Sequence, residues 1–372
     1  MAKLLTLSDI QARYGLPSDA EVFAALDAGD TLPALLYAAP EVHQLEREKI
    51  FARSWQYACH DSQLSKPGDV VLTKSGDIPI MIVCGRDREL RAFVNVCRHR
   101  LHPVATENGN SRLLRCSYHG WTYELDGRLK HAPRQAREPG FDCAAISLKP
   151  VSVERWDQFV FVNADAGATA LATVTTDIRS RTDELNADLR EYEYRVRYTY
   201  EMDCNWKVWA ENAIECYHCP TTHRDSFGKT YDAGPDAYRT ISWPDTLWHE
   251  SPIKWIPGDL NPASLKGFRF AYLWPSSFFA VDDFIGFVGG VTPAGPERCS
   301  AFADMYVRPG ADEGIVSEWL DMWDQVLRED AVATNRQQVG YRSGQIPAGR
   351  LMLNSEHNLQ AFMRRTYQAL IT

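Results

Sequence analysis

The sequence predicts an α+β protein in which an all-β unit precedes a larger unit that combines an antiparallel sheet with helices. Short β-rich runs separated by turn signals fill residues 46–164, which is typical of a small all-β unit. Apolar strand patterns over residues 231–310 and a long helical pattern over residues 312–342 predict a sheet flanked by helices within residues 165–372. Helical patterns in residues 1–45 predict N-terminal helices that pack on this second unit.

Two start signals define the N-terminal helices. Ser18 and Glu21 form a capping pattern, in which a hydroxyl and a carboxylate satisfy the free backbone N–H groups at a helix start. Pro40 lies in the first turn of a second predicted helix, Glu41 to Arg53, where its missing N–H costs nothing.

The composition argues against two classes of partner. The 372 residues include 40 Lys plus Arg and 49 Asp plus Glu, a net charge of −9, whereas a general nucleic-acid binder or an anchor to anionic lipid needs a basic face. No apolar run approaches the roughly 18–20 residues that span a bilayer. Residues 1–6 lack the unbroken apolar core of a secretory signal. We therefore expect a cytoplasmic protein without a nucleic-acid partner or a membrane anchor.

Two mixed pairs of cysteine and histidine stand within the predicted all-β unit. Cys97 and His99 form a Cys-x-His pair, and Cys116 and His119 form a Cys-x-x-His pair. The nine cysteines are an odd number, typical of thiols or metal ligands rather than of a disulfide framework. Four such donors also suit tetrahedral zinc, but zinc fingers pair the two cysteines in one half and the two histidines in the other. The mixed halves favour a Rieske [2Fe–2S] cluster, in which two thiolates bind one iron and two imidazoles bind the other.

This stretch resembles the Rieske domain of the ring-hydroxylating, or Rieske non-heme iron, oxygenases. The second half of that motif usually reads Cys-Pro-Tyr-His-Gly-Trp, and here Ser117 replaces the proline while the ligand positions are kept. The resemblance implies a terminal oxygenase α-subunit with a second, helix-grip-like catalytic domain and a mononuclear non-heme iron. It also implies a homotrimer.

A second group of candidate ligands follows the all-β unit. The spacing predicts a helix over residues 206–218 that places Glu211, Glu215 and His218 on one face. A proline then ends this helix, so that His223 turns back toward the same point. Two histidines and one carboxylate on one face of Fe(II) form the facial triad of non-heme oxygenases, which leaves positions open for O2 and substrate.

The third ligand is expected far along the chain, in the long C-terminal helix. Glu329 and Asp330 are adjacent there, and chemistry alone does not choose between them. Members of the family place the ligand on the acidic residue of such a Glu-Asp pair, and that resemblance points to Asp330 with Glu329 as its neighbour.

Cys216 and Cys219 leave other interpretations open. They form a Cys-x-x-Cys pair, which is typical of a redox pair, and with His218 and His223 they could bind zinc. Because an upstream cluster needs an electron acceptor downstream, we expect them instead to be small buried packing residues. A different class of function also stays open, namely an electron-transfer or iron–sulfur sensor protein without a working catalytic iron.

The resemblance extends to partners and chemistry. In the family, a carboxylate at the position of Glu215 bridges a cluster histidine of one subunit and an iron histidine of the next. A Glu followed by Cys-Tyr-His-Cys resembles the branch that oxidises quaternary ammonium compounds such as carnitine, glycine betaine and choline. The implied reaction uses O2 to hydroxylate or oxidatively N-demethylate the substrate. Its electrons come from a separate NAD(P)H-dependent reductase, with or without a ferredoxin, because this chain carries no nucleotide fingerprint.

The substrate pocket is expected between residues 206–260 and the sheet at residues 268–290, where aromatic residues are dense. An aromatic cage binds a methylated ammonium by cation–π attraction. The same rings could stack on a flat aromatic substrate, which leaves hydroxylation or dihydroxylation of an aromatic ring as the alternative. Any single ring could also belong to the core. We favour a small N-methylated substrate.

Overall fold

A computed structural model of the chain describes residues 5–187, 189–256 and 260–372. The chain divides into two compact units, one from Phe51 to Thr173 and one that joins the residues up to Ile50 with Val174–Thr372. Most of the N-terminal segment from which we expect no secretory signal, residues 1–4, lies outside the described residues. Among the described helices, none is both long and apolar enough to cross a membrane.

The N-terminal helices begin at the predicted signals. Ser18 caps its helix, and its hydroxyl accepts a hydrogen bond from the backbone N–H of Glu21 while the Glu21 carboxylate accepts one from the N–H of Ser18. Pro40 opens the next helix, which ends at Lys49 rather than at Arg53. The three helices are α1 (Leu7–Tyr14), α2 (Asp19–Asp27) and α3 (Pro40–Lys49).

The first unit is all-β, as predicted. Within its described residues, a seven-stranded antiparallel sheet has the strand order β1-β10-β9-β4-β3-β2-β5, and a small sheet joins β6, β7 and β8. Its strands are β1 (Gln56–His60), β2 (Asp69–Ser75), β3 (Ile78–Cys84), β4 (Leu90–Val94), β5 (Gly109–Asn110), β6 (Leu114–Arg115), β7 (Thr122–Tyr123), β8 (Leu129–His131), β9 (Pro150–Trp156) and β10 (Phe159–Asn163).

The second unit contains a seven-stranded antiparallel sheet in its described residues, ordered β11-β17-β16-β15-β14-β13-β12, with helices beside it. This confirms the predicted α+β class. Its elements, with α4 at the boundary, are α4 (Leu171–Val174), α5 (Thr176–Leu185), β11 (Glu193–Met202), α6 (Trp206–Ala213), α7 (Cys219–Thr222), α8 (Phe227–Thr230), β12 (Arg239–Ser242), β13 (Thr246–Ser251), β14 (Phe268–Leu273), β15 (Ser277–Val281), β16 (Ile285–Gly295), β17 (Arg298–Val307), α9 (Glu313–Ser343) and α10 (Leu353–Ile371). Short 3₁₀ turns lie at Ala34–Tyr37, Phe51–Arg53, Asp61–Leu64, Gln135–Arg137, Cys143–Ala145 and Pro262–Ser264.

The N-terminal helices belong to the second unit because they supply part of its core. The side-chain amide of Gln11 on α1 donates a hydrogen bond to the Tyr367 hydroxyl on α10 at 3.0 Å. Glu46 on α3 is fully buried and pairs with Lys207 on α6, and the indole N–H of Trp206 donates to the same carboxylate at 2.9 Å. Burying such a pair is tolerated only when its remaining hydrogen bonds are satisfied, as they are here.

The helix predicted over residues 206–218 is shorter than expected. Helix α6 ends at Ala213, so Glu215 and His218 are not on it, and the argument from a shared helical face is wrong for them. The physical reason is local, because the Glu215 carboxylate accepts hydrogen bonds from the backbone N–H groups of Tyr217 and His218. These N–H groups therefore do not extend the helix, and the chain turns before α7.

Candidate metal centres and substrate cavity

The four cysteine and histidine residues of the all-β unit lie on two loops of the same design. The Cys97 N–H donates to the His102 carbonyl at 2.8 Å, and the Cys116 N–H donates to the Trp121 carbonyl at 2.9 Å. The fifth residue of each loop has a positive φ, and in the second loop this residue is Gly120, with a φ of 74°. Each loop thus presents a thiol and an imidazole from one tight turn.

In the first loop the corresponding position is Leu101, which holds a φ of 60° without being glycine. That conformation is costly for a side chain with a Cβ and persists only where the surrounding structure enforces it. Here the Leu101 N–H donates to the Cys97 carbonyl at 3.1 Å, just as the Gly120 N–H donates to that of Cys116 at 3.0 Å. These bonds close both loops and fix the direction of the ligand side chains.

The cysteines and the histidines of the two loops differ in their exposure to solvent. Cys97 and Cys116 are 1% and 2% exposed and belong to the apolar core below the loops. His99 and His119 are exposed, with ring centroids 4.5 Å apart, and Trp121 stacks on His99 at 5.0 Å. Burial raises the pKa of the Cys97 thiol, and so does the neighbouring Cys116. A buried thiol pair beside an exposed imidazole pair fits a cluster whose two irons have different ligands.

Two further side chains reach the thiols, and neither was predicted from the sequence. The Tyr123 hydroxyl lies 3.2 Å from the Cys97 sulfur and accepts a hydrogen bond from the Arg98 N–H at 3.0 Å. Nδ1 of His102 lies 3.7 Å from the Cys116 sulfur.

The second unit brings His218, His223 and Asp330 together. Nε2 of His223 lies 3.1 Å from Nε2 of His218 and 2.9 Å from Oδ1 of Asp330, and His218 Nε2 is 3.4 Å from the same oxygen. Adjacent ligands of an octahedral ion with bonds of about 2.1 Å lie about 3.0 Å apart. The three atoms therefore form a triangle of the size that one face of such an ion requires. Among the described residues, this is the group whose ligand atoms converge closely enough for one metal ion.

Local structure explains how the two histidines meet. His218 immediately precedes α7 and His223 immediately follows it, so one helical turn separates the two rings. The N–H of Thr222 donates to the His218 carbonyl at 2.9 Å, and the N–H of His223 donates to that of Cys219 at 3.0 Å. Asp330 comes from α9, 107 residues beyond His223. Only the packing of α9 against α7 supplies the third side.

Each of the three side chains is held by a second polar group. Glu215 accepts a hydrogen bond from Nδ1 of His218, and Glu329 lies 2.7 Å from Nδ1 of His223. The side-chain amide of Asn212 donates to Asp330 at 2.7 Å. Partners of this kind fix the orientation and basicity of metal ligands. The structure thus separates the adjacent acids: Asp330 faces both histidines, while Glu329 contacts the far nitrogen of one.

The electrostatics of this triangle favour a cation. Burial acts to lower the pKa of His218, but Asp330 and Glu215 outweigh it and raise that pKa to about 10. Burial acts to raise the pKa of Asp330, but hydrogen bonds from His218 and His223 hold it below its ordinary range. The carboxylates thus attract positive charge into a buried place. A divalent ion would displace the protons and supply that charge, so the donor set fits a non-heme iron.

The expectation for Cys216 and Cys219 is wrong in one respect. Both residues are buried, as expected, but a disulfide joins them, so they are not free packing thiols. The short chain reversal between α6 and α7 brings the two sulfurs together around His218. Because the sulfurs are bonded to each other, they do not provide the thiolates of a zinc site here.

A cavity of about 60 Å³ opens on the triangle. Seven of its 18 described lining residues are Phe or Trp. His249 and Asn212 are among its polar members, and the described lining residues include no Lys or Arg. The aromatic members are Trp209, Phe227, Phe268, Phe270, Phe278, Phe287 and Trp323.

The predicted pocket region contains only part of this wall. Trp209, Phe270, Phe278 and Phe287 lie within the predicted ranges, whereas the contribution of α9 was missed. The missed residues are Trp323, Val326 and Leu327. Together with Asp330 they follow the i, i+3, i+4, i+7 spacing of one helical face, and that spacing was the signal that could have found them.

The sheet presents its aromatic residues to the cavity by alternation. His249 pairs with Phe270 across β13 and β14, and residues two apart along a strand share a face. Phe278 on β15 lies opposite Gly289 on β16. A Cβ at Gly289 would lie 2.5 Å from the Phe278 ring, so the absence of a side chain there makes room for that ring.

Comparison with known families matches both halves of the chain. Residues 54–165 match the Rieske [2Fe-2S] domain, and residues 189–371 match the catalytic domain of the ring hydroxylating alpha subunit. A glycine betaine monooxygenase oxygenase subunit of Chromohalobacter salexigens is 30% identical over 365 residues, covering 84% of this chain and 80% of that protein. The chain belongs to the Rieske non-heme iron oxygenase family.

Two further matches of this Rieske oxygenase carry names that refer to carnitine or to quaternary ammonium compounds. A carnitine monooxygenase oxygenase subunit of Acinetobacter pittii is 28% identical over 365 residues, covering 92% of this chain and 95% of that protein. A solved quaternary ammonium Rieske monooxygenase, described for carnitine oxidation and inter-subunit electron transfer, superposes with a TM-score of 0.85 at 27% identity. That match covers 95% of this chain and 98% of the solved chain. The oxygenase assignment from the sequence is thereby confirmed.

Proposed function

We propose that this oxygenase hydroxylates or oxidatively N-demethylates a small quaternary ammonium compound. The observation that carries the proposal is the aromatic cavity on the His218–His223–Asp330 triangle. Each ring face attracts a methylated ammonium by about 0.5–2 kcal/mol. The described lining residues include no Lys or Arg that would repel a cationic substrate. The named substrates of the relatives agree with this class.

The proposed metal sites keep the residues predicted from the sequence. Cys97, His99, Cys116 and His119 would hold a Rieske cluster, supported by the buried thiol pair and the exposed imidazole pair. His218, His223 and Asp330 would hold a non-heme iron, supported by the size of their triangle.

When bound, the cluster supplies single electrons and the iron supplies O2 activation. The protein's own contribution is positional. Glu215 and Glu329 hold the two imidazoles by their Nδ1 atoms, so that Nε2 of each faces the cavity. Aromatic walls exclude water from the site and keep the substrate beside it.

Electron transfer between copies of the chain is the proposed role of Glu215. A second cavity, of about 540 Å³, is lined by Glu215 and His218 and also by the exposed apolar residues Tyr217 and Ile346. On the Rieske unit, exposed Leu101 and Tyr118 neighbour the histidine ligands in sequence. We infer that the Rieske unit of a neighbouring subunit docks on this second cavity in a homotrimer, with Glu215 between the two sites.

A separate reductase is the proposed electron donor, with or without a ferredoxin. The relatives are named as oxygenase subunits, which agrees with a divided system. The cytoplasmic location and the absence of a nucleic-acid partner stay predictions from the sequence.

The test is a reductase-coupled oxygen-consumption screen of the iron-loaded protein with choline, glycine betaine, carnitine and simple aromatic compounds. We expect an ammonium compound to stimulate oxygen uptake in step with product, with formaldehyde released if the reaction is demethylation. Phenol or cis-diol products from an aromatic compound would favour the ring-oxidation alternative. Iron analysis should give about three irons per chain, whereas two would indicate an electron-transfer protein without a catalytic iron.

A further inference from the structure

One histidine of the aromatic cavity has a ring nitrogen without a partner. His249 is 5% exposed, lines the cavity, and contacts the rings of Phe268 and Phe270 at 5.6 and 4.5 Å. Among the described residues, its Nε2 has no hydrogen-bond partner. A buried polar atom without a partner is costly and uncommon in a folded protein. Where such an atom lines a ligand cavity, a ligand atom is its natural partner.

The other nitrogen of the same ring fixes which hydrogen-bonding role is free. Nδ1 of His249 lies 2.5 Å from the hydroxyl of Tyr238. Among the described residues, the Tyr238 hydroxyl has no other acceptor for its proton. We therefore assign the phenol as the donor to Nδ1, which places the proton of the neutral imidazole on Nε2. Burial, together with His218, lowers the pKa of His249 to about 3. His249 is therefore a neutral ring that offers one N–H donor.

A second donor lines the same cavity. Trp323 is 5% exposed, and its indole N–H has no hydrogen-bond partner among the described residues. Its ring contacts Phe268 at 4.9 Å, and Phe268 is also the neighbour of His249. An indole nitrogen only donates. His249 and Trp323 thus bring two buried N–H donors to a cavity whose other lining residues include five Phe side chains and Trp209.

These donors select the chemistry of their acceptor. Both are neutral, and the described cavity lining contains no Lys or Arg to neutralise an anion. At a distance from the metal site, a buried carboxylate without a cationic partner is strongly disfavoured. An uncharged oxygen, such as that of a hydroxyl, ester or amide, satisfies an N–H donor without that penalty.

We propose that His249, with Trp323, is a specificity-determining residue that donates a hydrogen bond to an uncharged oxygen of the substrate. This inference rests on the proposed oxidation of an ammonium compound and narrows it to compounds that carry such an oxygen. Tyr238 is the positioning residue, because its hydroxyl holds the tautomer that makes Nε2 a donor.

The experiment is calorimetric binding to the metal-loaded protein without turnover. The probes are choline, its oxygen-free counterpart propyltrimethylammonium, glycine betaine, and the uncharged alcohol 3,3-dimethylbutan-1-ol. In the wild type we expect choline to bind about tenfold more tightly than propyltrimethylammonium. His249→Leu should remove this preference while leaving the affinity for propyltrimethylammonium unchanged, and Trp323→Phe should reduce it.

Two further variants serve as controls for a general packing defect. His249→Gln retains a side-chain N–H and should restore part of the preference, whereas a general packing defect would not be rescued. His357→Leu changes a partly buried histidine of α10 that does not line the cavity and should keep the wild-type preference. Circular dichroism and the cluster absorbance would establish that each variant is folded and loaded.

Each result decides a separate point. An unchanged choline preference in His249→Leu would overturn the role of His249. Tighter binding of glycine betaine than of choline, lost in the same variant, would overturn the uncharged-oxygen class. If the ammonium probes fail to bind but the alcohol binds about tenfold more weakly to His249→Leu, His249 keeps its role and the ammonium substrate is wrong. If no probe binds, both are wrong.

Discussion

The two candidate metal sites use similar side chains but are assembled in opposite ways. The Rieske ligands come from two short loops, and their imidazoles are exposed while their thiols are buried. The ligands of the second site come from both ends of α7 and from α9, and they lie beside an aromatic cavity. An exposed edge suits electron transfer to or from another protein. A buried site suits chemistry from which water must be excluded.

The largest expected effect separates the two sites. His218→Ala should abolish substrate oxidation, a loss of more than about 100-fold, because removing a ligand costs more than removing a ligand's partner. The Rieske absorbance should persist, with about two irons per chain remaining. Iron analysis and coupled oxygen uptake measure both quantities. The exposed His131, changed to Ala, is the control and should retain all three irons; turnover by His218→Ala would contradict the triad.

The second-largest expected effect tests whether Glu215 and Glu329, the hydrogen-bond partners of the two buried imidazoles, have different roles. Glu329→Gln should weaken iron binding by about 10–100-fold, because His223 loses the carboxylate on its Nδ1. Glu215→Gln should retain both metals yet slow single-turnover oxidation by about 10–100-fold. Iron titration and rapid-mixing kinetics distinguish the two variants. Equal iron loss in both, or an unchanged single-turnover rate in Glu215→Gln, would remove the distinction.

A buried acid near the second site predicts a pH dependence of stability. Glu211 is fully buried, and burial raises its pKa to about 8, against hydrogen bonding from Tyr37 and the charge of Lys207. Between pH 4.5, its ordinary value, and pH 8 the folded protein holds a proton that the unfolded chain has released. Stability therefore falls as pH rises through this window, by up to about 1.4 kcal/mol per pH unit.

Glu211→Gln should remove that contribution. Urea unfolding of the iron-loaded protein at several pH values between 5 and 8 (roughly the window above) measures the slope. The exposed Glu48, changed to Gln, is the matched control and should keep the wild-type slope. An identical slope in Glu211→Gln would mean that this carboxyl is already ionised in the folded protein.

The smallest expected effect concerns the exposed site. Tyr123→Phe removes the hydroxyl next to the Cys97 sulfur, and a hydrogen bond to sulfur stabilises the more negative, reduced cluster. One such bond contributes about 1 kcal/mol, equivalent to about 40 mV for one electron, so the reduction potential should fall by that amount. Protein-film voltammetry measures it, and a potential that rises or stays constant would contradict the contact.

Local patterns carried most of what could be predicted. The Cys97–His99 and Cys116–His119 pairs lie within single loops, so their spacing indicated the candidate ligands and the kind of cluster they would hold. The capping signals at Ser18 and Pro40 marked helix starts for the same reason. The prediction of a helix over residues 206–218 was wrong at its end. Helical spacing does not reveal that the Glu215 carboxylate accepts hydrogen bonds from the backbone N–H groups that would otherwise extend the helix.

The sequence by itself determined the α+β class, the family and the candidate ligands, because each depends on residues close together in the chain or on a recognisable motif. Only the tertiary structure decided which acid of the Glu329–Asp330 pair faces both histidines. The choice depends on the orientation of α9 about its own axis where it packs against α7. It also brought His249 and Trp323 to the wall of one cavity, although they come from a strand and a helix far apart in sequence. Among the described residues, packing leaves Nε2 of His249 and the indole nitrogen of Trp323 without hydrogen-bond partners.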